Sequence, residues 1–284
     1  MNSQEFIEIS NSFFVDRDYK AAFESLGLTS IDAIFSFNAG KNLAKENLAE
    51  YRSRLQFETG QPPKTIFLKR YDRPPILTQI RNWLACRSRK SLGLLDYYVA
   101  EKLSAMGINT PKTIAYGQQW GIFFEKRSFI ATEKIPNAES LERKLPDCFN
   151  APFTPENLKL RRNFIAQLGI FVGKFHKTDY RHRDLYLSHI FYNNKGEFCL
   201  IDLSRAFKPI LLAERYRIKD IAQLNYSSPR RYFSKTDRLR FYMAITGQKN
   251  LDDNDKTFIR RVISKTKQIA KHDIKHGRPA PFAS

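Results

Sequence analysis

Residues 175–209 read FHKTDYRHRDLYLSHIFYNNKGEFCLIDLSRAFKP, with His182-Arg183-Asp184 near the start of a loop. Five residues after Asp184 stands His189, followed by an apolar run Ile190-Phe191-Tyr192, a turn at Asn193-Asn194-Lys195-Gly196, and a second run Phe198-Cys199-Leu200-Ile201 that ends on Asp202. Two short apolar runs about such a turn predict a β-hairpin, and a hairpin that returns on itself brings Asp184 and Asp202 to the same end. Two carboxylates meeting there, one to orient a hydroxyl and one to hold a divalent metal, is the arrangement that phosphoryl transfer from ATP calls for. The stretch predicts a kinase.

Upstream, residues 1–26 are mixed in character and read as an N-terminal extension. Residues 30–37 alternate as a strand, 38–42 form a turn containing Gly40, 50–57 form a second strand, and 64–71 form a third, rich in β-branched and aromatic residues. In this third strand Lys69 shares a face with Phe67 and Tyr71, so its ammonium points either at nucleotide phosphates or into solvent beside Arg70. Residues 76–84 set Ile76, Leu77, Ile80, Trp83 and Leu84 on one helical stripe, with Arg87, Arg89 and Lys90 following. Such a segment either packs its stripe on the sheet or lies on an anionic bilayer. A helix over 92–106 follows, carrying Asp96 and Glu101, either of which could pair with Lys69. Strands are expected at 113–116, 121–125 and 129–133, with a turn at 126–128 and a candidate hinge at Lys134-Ile135-Pro136.

Beyond the hinge the pattern turns helical. Phe164, Leu168, Phe171 and Phe175 recur at helical spacing and deliver the chain to the His182 loop, and further helices are predicted over 218–224, 237–245 and 255–270. The expected architecture is α+β: 1–26 an extension, 27–135 a β-rich N-terminal lobe that binds nucleotide, 136–284 a mainly helical C-terminal lobe with the catalytic loop, and a cleft between the lobes.

The 284 residues are 42% hydrophobic, enough for a sizeable core, and Cys86, Cys148 and Cys199 form no C-x-x-C pair. Disulfides and zinc are not expected, and the absence of a leader pattern or a long apolar run predicts a protein neither exported nor integral to a membrane. Lysine and arginine number 48 against 29 acids, a net charge of +19, which calls for anionic partners. No nucleic-acid module is legible, so nucleic acid is not the expected partner.

Five motifs together resemble the lipopolysaccharide core kinases of the Kdo/WaaP family, a branch of the protein-kinase-like fold. They are Phe67-Leu68-Lys69-Arg70-Tyr71, Ala131-Thr132-Glu133, His182 to His189 (HRDLYLSH), Ile201-Asp202-Leu203, and Lys219-Asp220-Ile221-Ala222-Gln223-Leu224. The long His182 motif is the specific one. The resemblance implies a bilobal kinase fold, ATP and Mg²⁺ as cofactors, a heptose or Kdo sugar of the lipid A-core glycolipid as acceptor, and peripheral attachment to the cytoplasmic face of the inner membrane. It assigns Lys69 to the nucleotide phosphates, Asp96 or Glu101 to Lys69, Glu133 and Ile135 at the hinge to the nucleotide, Asp184 to the acceptor hydroxyl, Asp202 to the metal, and Asp220 to support of the catalytic loop.

The chain departs from protein kinases in three places. His189 stands where those enzymes have a metal-binding Asn, and imidazole is a poor Mg²⁺ ligand, so metal contact and loop hydrogen bond both stay open. Gly40 is the one glycine in the expected nucleotide-covering turn. Asp220 follows Asp202 by only eighteen positions, too few for a long activation segment. That favours a glycolipid over a protein acceptor, drawn to Arg205, Lys208, Arg215, Arg217, Arg230 and Arg231. The competing readings are a kinase-like scaffold that only binds, and a kinase for another small molecule or a protein.

Overall fold

The computed structural model describes residues 5–43, 49–149, 154–278 and 280–281. The chain divides into two units, Met1–Lys102 with Thr110–Pro136, and Leu103–Asn109 with Asn137–Ser284. In the first unit, β1 (Phe6–Ser10), β2 (Phe13–Asp16), α1 (Lys20–Ser25), α2 (Ile31–Ser36), β3 (Lys41–Asn42), β4 (Arg52–Thr59), β5 (Lys64–Asp72), α3 (Ile76–Cys86), α4 (Leu92–Ala105), β6 (Thr113–Trp120) and β7 (Glu125–Glu133) follow one another. The last residues of α4 count with the second unit. Among the described residues the strands form one seven-stranded sheet in the order β1-β2-β6-β7-β5-β4-β3, antiparallel throughout.

Residues 6–10 and 13–16, expected within an N-terminal extension, are strands of this sheet. β2 pairs with β6, and Phe13, Val15, Tyr19 and Phe23 enter the same core as Leu55, Ile66, Leu68 and Phe129. Phe13 meets the Phe129 ring edge-on at 4.8 Å. A mixed composition hid these residues because half of the segment faces solvent.

Residues 30–37, expected as a strand, form α2 instead. Ser30 caps the helix by accepting from Ala33 N at 3.1 Å, and Ile31 and Ile34, one turn apart, are the buried pair. The other end of α2 explains Arg70. Its guanidinium is buried and donates to the carbonyls of Ile34, Phe35 and Phe37 at 3.0, 3.1 and 2.8 Å, satisfying groups that a helix leaves unpaired at its C-terminus.

A further correction falls at 121–133. Turn and strand are exchanged: Gly121 N donates to Phe124 O at 2.7 Å, and 125–133 run unbroken as β7. The polar Lys126-Arg127-Ser128 run is strand, with Arg127 bonded to Asp32 and Asp72. Gly40 lies immediately before β3. Its φ is +119°, and a Cβ there would come within 2.5 Å of Gln56 O on β4. The β3–β4 connection in which a covering loop would lie includes 44–48, which fall outside the described residues.

In the second unit, β8 (Ala138–Ser140), α5 (Leu141–Phe149), α6 (Pro155–Lys177), β9 (Ile190–Asn193), β10 (Phe198–Leu200), α7 (Ala213–Tyr226), α8 (Lys235–Thr246) and α9 (Asp253–Lys275) follow. The strands form a small antiparallel sheet in the order β10-β9-β8. Helices supply the rest. Gly169 and Gly173 let α6 close on α8: a Cβ on Gly169 would lie 2.6 Å from the Ala244 methyl, and one on Gly173 would lie 2.7 Å from Ile245 O. α7 is joined to α9 by Asn225 Nδ2 donating to Thr266 Oγ1 at 2.9 Å and Tyr226 Oη to Asp273 at 2.7 Å. The α+β class, with a β-rich first part and a helical second, is as expected.

Candidate active site

The second unit holds its candidate residues on α7. The side chains of Asp220, Gln223 and Ser227 recur at i, i+3 and i+7, hence on one helix face. Each accepts a backbone N–H from the loop that follows α6. Asp220 takes His182 N and Arg183 N, both at 2.8 Å, Gln223 takes Leu185 N at 3.2 Å, and Ser227 takes Leu187 N at 3.0 Å. Asp220 is wholly buried, so its two charge-assisted bonds are what make a carboxylate tolerable there. They hold Arg183 in the left-handed region at φ +70°. Gln223 Nε2 also donates to Tyr186 Oη at 3.2 Å.

Two further ties join this loop to the segment around Asp202. Arg181 and Phe207 exchange backbone hydrogen bonds at 2.9 and 3.1 Å. His182, with no exposed surface, reaches the Ile201 carbonyl through Nε2 at 3.0 Å. A carbonyl only accepts, so Nε2 carries the proton, and burial pushes the imidazole pKa below its usual value. His176 on α6, buried and 3.5 Å from Asp220, is pushed the same way by burial.

Asp184, His189 and Asp202 come together at the end of the β9–β10 hairpin. His189 Nδ1 lies 2.7 Å from the Asp184 carbonyl oxygen, which fixes the proton on Nδ1 and turns Nε2 toward Asp202, 3.9 Å away. One ring nitrogen therefore makes the loop hydrogen bond while the other faces the carboxylate. Asp202 itself is left-handed, φ +58°, a conformation that Asp adopts more readily than bulkier residues. Ser204 Oγ donates to it at 3.4 Å.

The surroundings of Asp184 are cationic. Arg205 contacts its carboxylate at 2.8 Å. Lys219, the residue before Asp220, has its pKa lowered by burial, an effect opposed by the Asp184 charge. Four of the six arginines and lysines expected on the acceptor side make different contacts. Arg205 is on Asp184, Arg215 lines a cavity with Lys219, Arg261 and Lys265, Arg217 lies over the Phe258 ring at 4.9 Å, and Arg230 lines a different cavity among α6–α9.

In the first unit, Lys69 on β5 meets Asp96 on α4, Nζ to Oδ2 2.8 Å. Of the two acids open from sequence it is Asp96 that makes this contact, while Glu101 lies near Tyr97 and Tyr116, and burial pushes its pKa up. The contact depends on how α4 is seated. Glu125 accepts from Leu92 N at 2.9 Å, Ser128 Oγ accepts from Gly93 N at 2.9 Å and donates to Glu125, so β7 caps the helix N-terminus. Gly93 sits directly on the strand, since a Cβ there would lie 2.8 Å from Phe129 O. Burial pushes the Glu125 carboxyl up to about 7.

Of the expected hinge contacts, Glu133 turns its carboxylate to Tyr19 Oη at 2.6 Å and Lys64 at 3.1 Å. Its backbone N–H goes to Lys112 O at 2.9 Å, and Lys134 N to Thr65 O at 2.8 Å. Ile135 is half-buried beside them. The sequence did not reveal Gln223, Ser227, Glu125, Ser128 or Gly93 as site supports. The 220-223-227 spacing was the one signal available, and it has meaning only once the loop is known to lie on that helix.

Residues 93–244 match the model of the lipopolysaccharide kinase (Kdo/WaaP) family, a span that includes Asp96, Asp184, Asp202 and Asp220 and leaves Lys69 outside. The chain is 28% identical over 205 residues to the lipopolysaccharide core heptose(I) kinase WaaP of Escherichia coli K12, covering 70% of this chain and 76% of that protein. It is 29% identical over 153 residues to the enzyme of the same name from Pseudomonas aeruginosa, covering 51% and 56%. A solved structure described as WaaP in complex with acyl carrier protein superposes with a TM-score of 0.68 at 20% identity, over 90% of this chain and 98% of that one.

Proposed function

The chain belongs to the lipopolysaccharide kinase (Kdo/WaaP) family, and on that premise we propose that it transfers the γ-phosphoryl group of ATP to a heptose hydroxyl of the lipopolysaccharide inner core. It is a phosphotransferase whose acceptor is a sugar hydroxyl. Heptose, of the two sugars open from sequence, follows the activity by which its relatives are named. One observation carries the assignment of roles: Asp184, His189 and Asp202 meet on a loop pair that α7 holds through backbone donors.

In this reading Lys69, steadied by Asp96, offsets the negative charge of the nucleotide phosphates, and the segment Glu133–Ile135 contributes backbone rather than the Glu133 carboxylate. Asp184 orients the acceptor hydroxyl and takes its proton, with Arg205 holding the carboxylate in place. Asp202 and His189 Nε2 are the donors available to a divalent ion. Among the described residues no cluster of three or more His, Cys, Asp or Glu could hold a metal. The Asp202 carboxylate fits an ion that draws most of its other ligands from phosphate and water, as Mg²⁺ does, while the His189 imidazole suits that ion poorly and serves the loop hydrogen bond. Such an ion supplies, when bound, charge stabilisation on the transferring phosphoryl oxygens.

We place the enzyme peripherally on the cytoplasmic face of the inner membrane, where a lipid-anchored acceptor with phosphates suits a chain of net charge +19. No described helix is long and apolar enough to cross a membrane. A carrier-borne acyl chain is a second proposed ligand, favoured by one feature of the second unit. A cavity of about 920 Å³ is lined by Leu168, Leu224, Phe233 and Phe241 together with Arg230 and Arg260, an apolar interior with cations suited to an anionic carrier. Mass spectrometry of the protein as purified tests for it.

The activity is tested with purified protein, ATP, Mg²⁺ and lipid A-core glycolipid stripped of core phosphate. The expected product has gained one phosphoryl group, mapped by fragmentation to a heptose. Gain on Kdo would reassign the sugar, and ready phosphorylation of a generic protein with the glycolipid untouched would overturn the reading.

A further inference from the structure

The helix α3 is built inside out. Its buried residue is polar: Gln79 donates to Pro74 O at 2.8 Å and accepts from Glu125 N at 2.8 Å. Its apolar side chains Ile76, Leu77, Ile80 and Leu84 are exposed, Leu84 by 73%. A surface helix ordinarily shows the reverse. The β6–β7 turn adds Ile122 and Phe123, exposed by 88% and 68%.

These two elements form one surface because their bases interlock. Trp83 on α3 stacks on Phe124, centroids 5.7 Å apart and planes within 6°, and lies 6.1 Å from Trp120. Arg89 lies over both indoles at 5.7 and 5.1 Å and donates to the Phe123 carbonyl at 2.6 Å. The charge is one-sided as well. Residues 73–90 contain Arg73, Arg81, Arg87, Arg89 and Lys90 and no acid.

We propose that this face seats the enzyme on an anionic phospholipid bilayer, the exposed side chains of α3 and the 122–123 turn entering the boundary between headgroups and acyl chains. Protruding aliphatic and aromatic tips, tryptophans at their base and a run of cations with no acid between residues 73 and 90 are the chemistry of an interfacial anchor. The inference deepens the function proposed above, since it names how the enzyme meets a lipid-anchored acceptor. Its test uses vesicles free of acceptor, so that either idea can fail alone.

Trp83 and Trp120 are the only tryptophans in the chain, and both belong to this face, so intrinsic fluorescence reports on it directly. With phosphatidylglycerol-containing vesicles at low salt, the emission should shift to the blue and become protected from acrylamide, and salt should reverse both changes. The paired substitution Leu84→Asp with Phe123→Asp should lower vesicle partitioning by about tenfold or more, while turnover of detergent-dispersed acceptor stays at the wild-type level. Overturning results are an unshifted spectrum with anionic vesicles at low salt, equal partitioning to neutral phosphatidylcholine vesicles, or undiminished binding by the paired variant. Loss of acyl carrier protein binding in that variant, with vesicle binding intact, would assign the face to a protein instead.

Discussion

In the second unit the loop around Asp184 is hung on α7 by four backbone N–H groups, whereas in the first Lys69 meets Asp96 through side chains on a strand and a helix. Backbone donors leave a loop few alternative conformations, so the position of Asp184 is set by the fold itself. The Lys69 ammonium sits at the end of a long flexible stem, and its position depends on where β7 seats α4. The two halves also titrate in opposite senses, because the first buries a carboxylic acid, Glu125, and the second buries imidazoles, His176 and His182.

The comparison is broken most forcefully at Asp220. Asp220→Ala leaves two buried N–H groups without acceptors and should cost about 3–5 kcal/mol of stability, visible as a lowered denaturation midpoint and lost transfer. A midpoint near wild type would show that the loop does not hang on α7.

The next effect is one of pH. Burial raises the folded pKa of Glu125 from its ordinary value of 4.5 to about 7, so the folded state holds the proton more tightly. The associated stability is complete below about 4.5 and is lost as pH rises through about 7, roughly 3 kcal/mol in all. His176 and His182 have folded pKa values lowered by burial. Their contribution is present above about 6.5, the ordinary histidine value, and is lost as pH falls below it. Thermal melts of Glu125→Gln should therefore lose the decline between acid and neutral pH while keeping the acid-side loss. An unchanged profile would remove Glu125 from the account.

The smallest change in stability is expected at the Lys69 contact. Asp96→Asn retains an acceptor oxygen for the ammonium and should cost about 1–2 kcal/mol of stability, while nucleotide affinity falls because Lys69 is less firmly placed. Calorimetric titration with ATP against a melting curve on one preparation separates the two effects. A melt lowered as far as in Asp220→Ala would erase the contrast between the units.

The parts of the site written in consecutive residues were legible. The 182–189 motif and Asp202 lie on either side of a hairpin whose turn and apolar runs are local, and the three residues meet where that hairpin implies. Lys69 was legible from its strand, but its partner was not. Asp96 and Glu101 both lie on α4, and the choice depends on how that helix is seated by Glu125, Ser128 and Gly93. Burial of a lone Glu is a tertiary fact without a sequence signature. Residues 30–37 misled because Ile31, Ala33, Phe35 and Phe37 alternate as a strand does, while Ile31 with Ile34 and the Ser30 cap are equally a helix. The polar run 126–128 looked like a turn because its answering acids, Asp32 and Asp72, are distant in sequence.

The most direct test of the central claim is single-turnover transfer from labelled ATP to the lipid A-core acceptor by Asp184→Asn, with ATP affinity measured on the same protein. Asparagine keeps the size of the side chain and removes the proton acceptor. The account predicts transfer slowed by about 100-fold or more, with ATP affinity within about twofold of wild type. Transfer at close to the wild-type rate would contradict it, because the loop that α7 holds in place would then be holding no catalytic base.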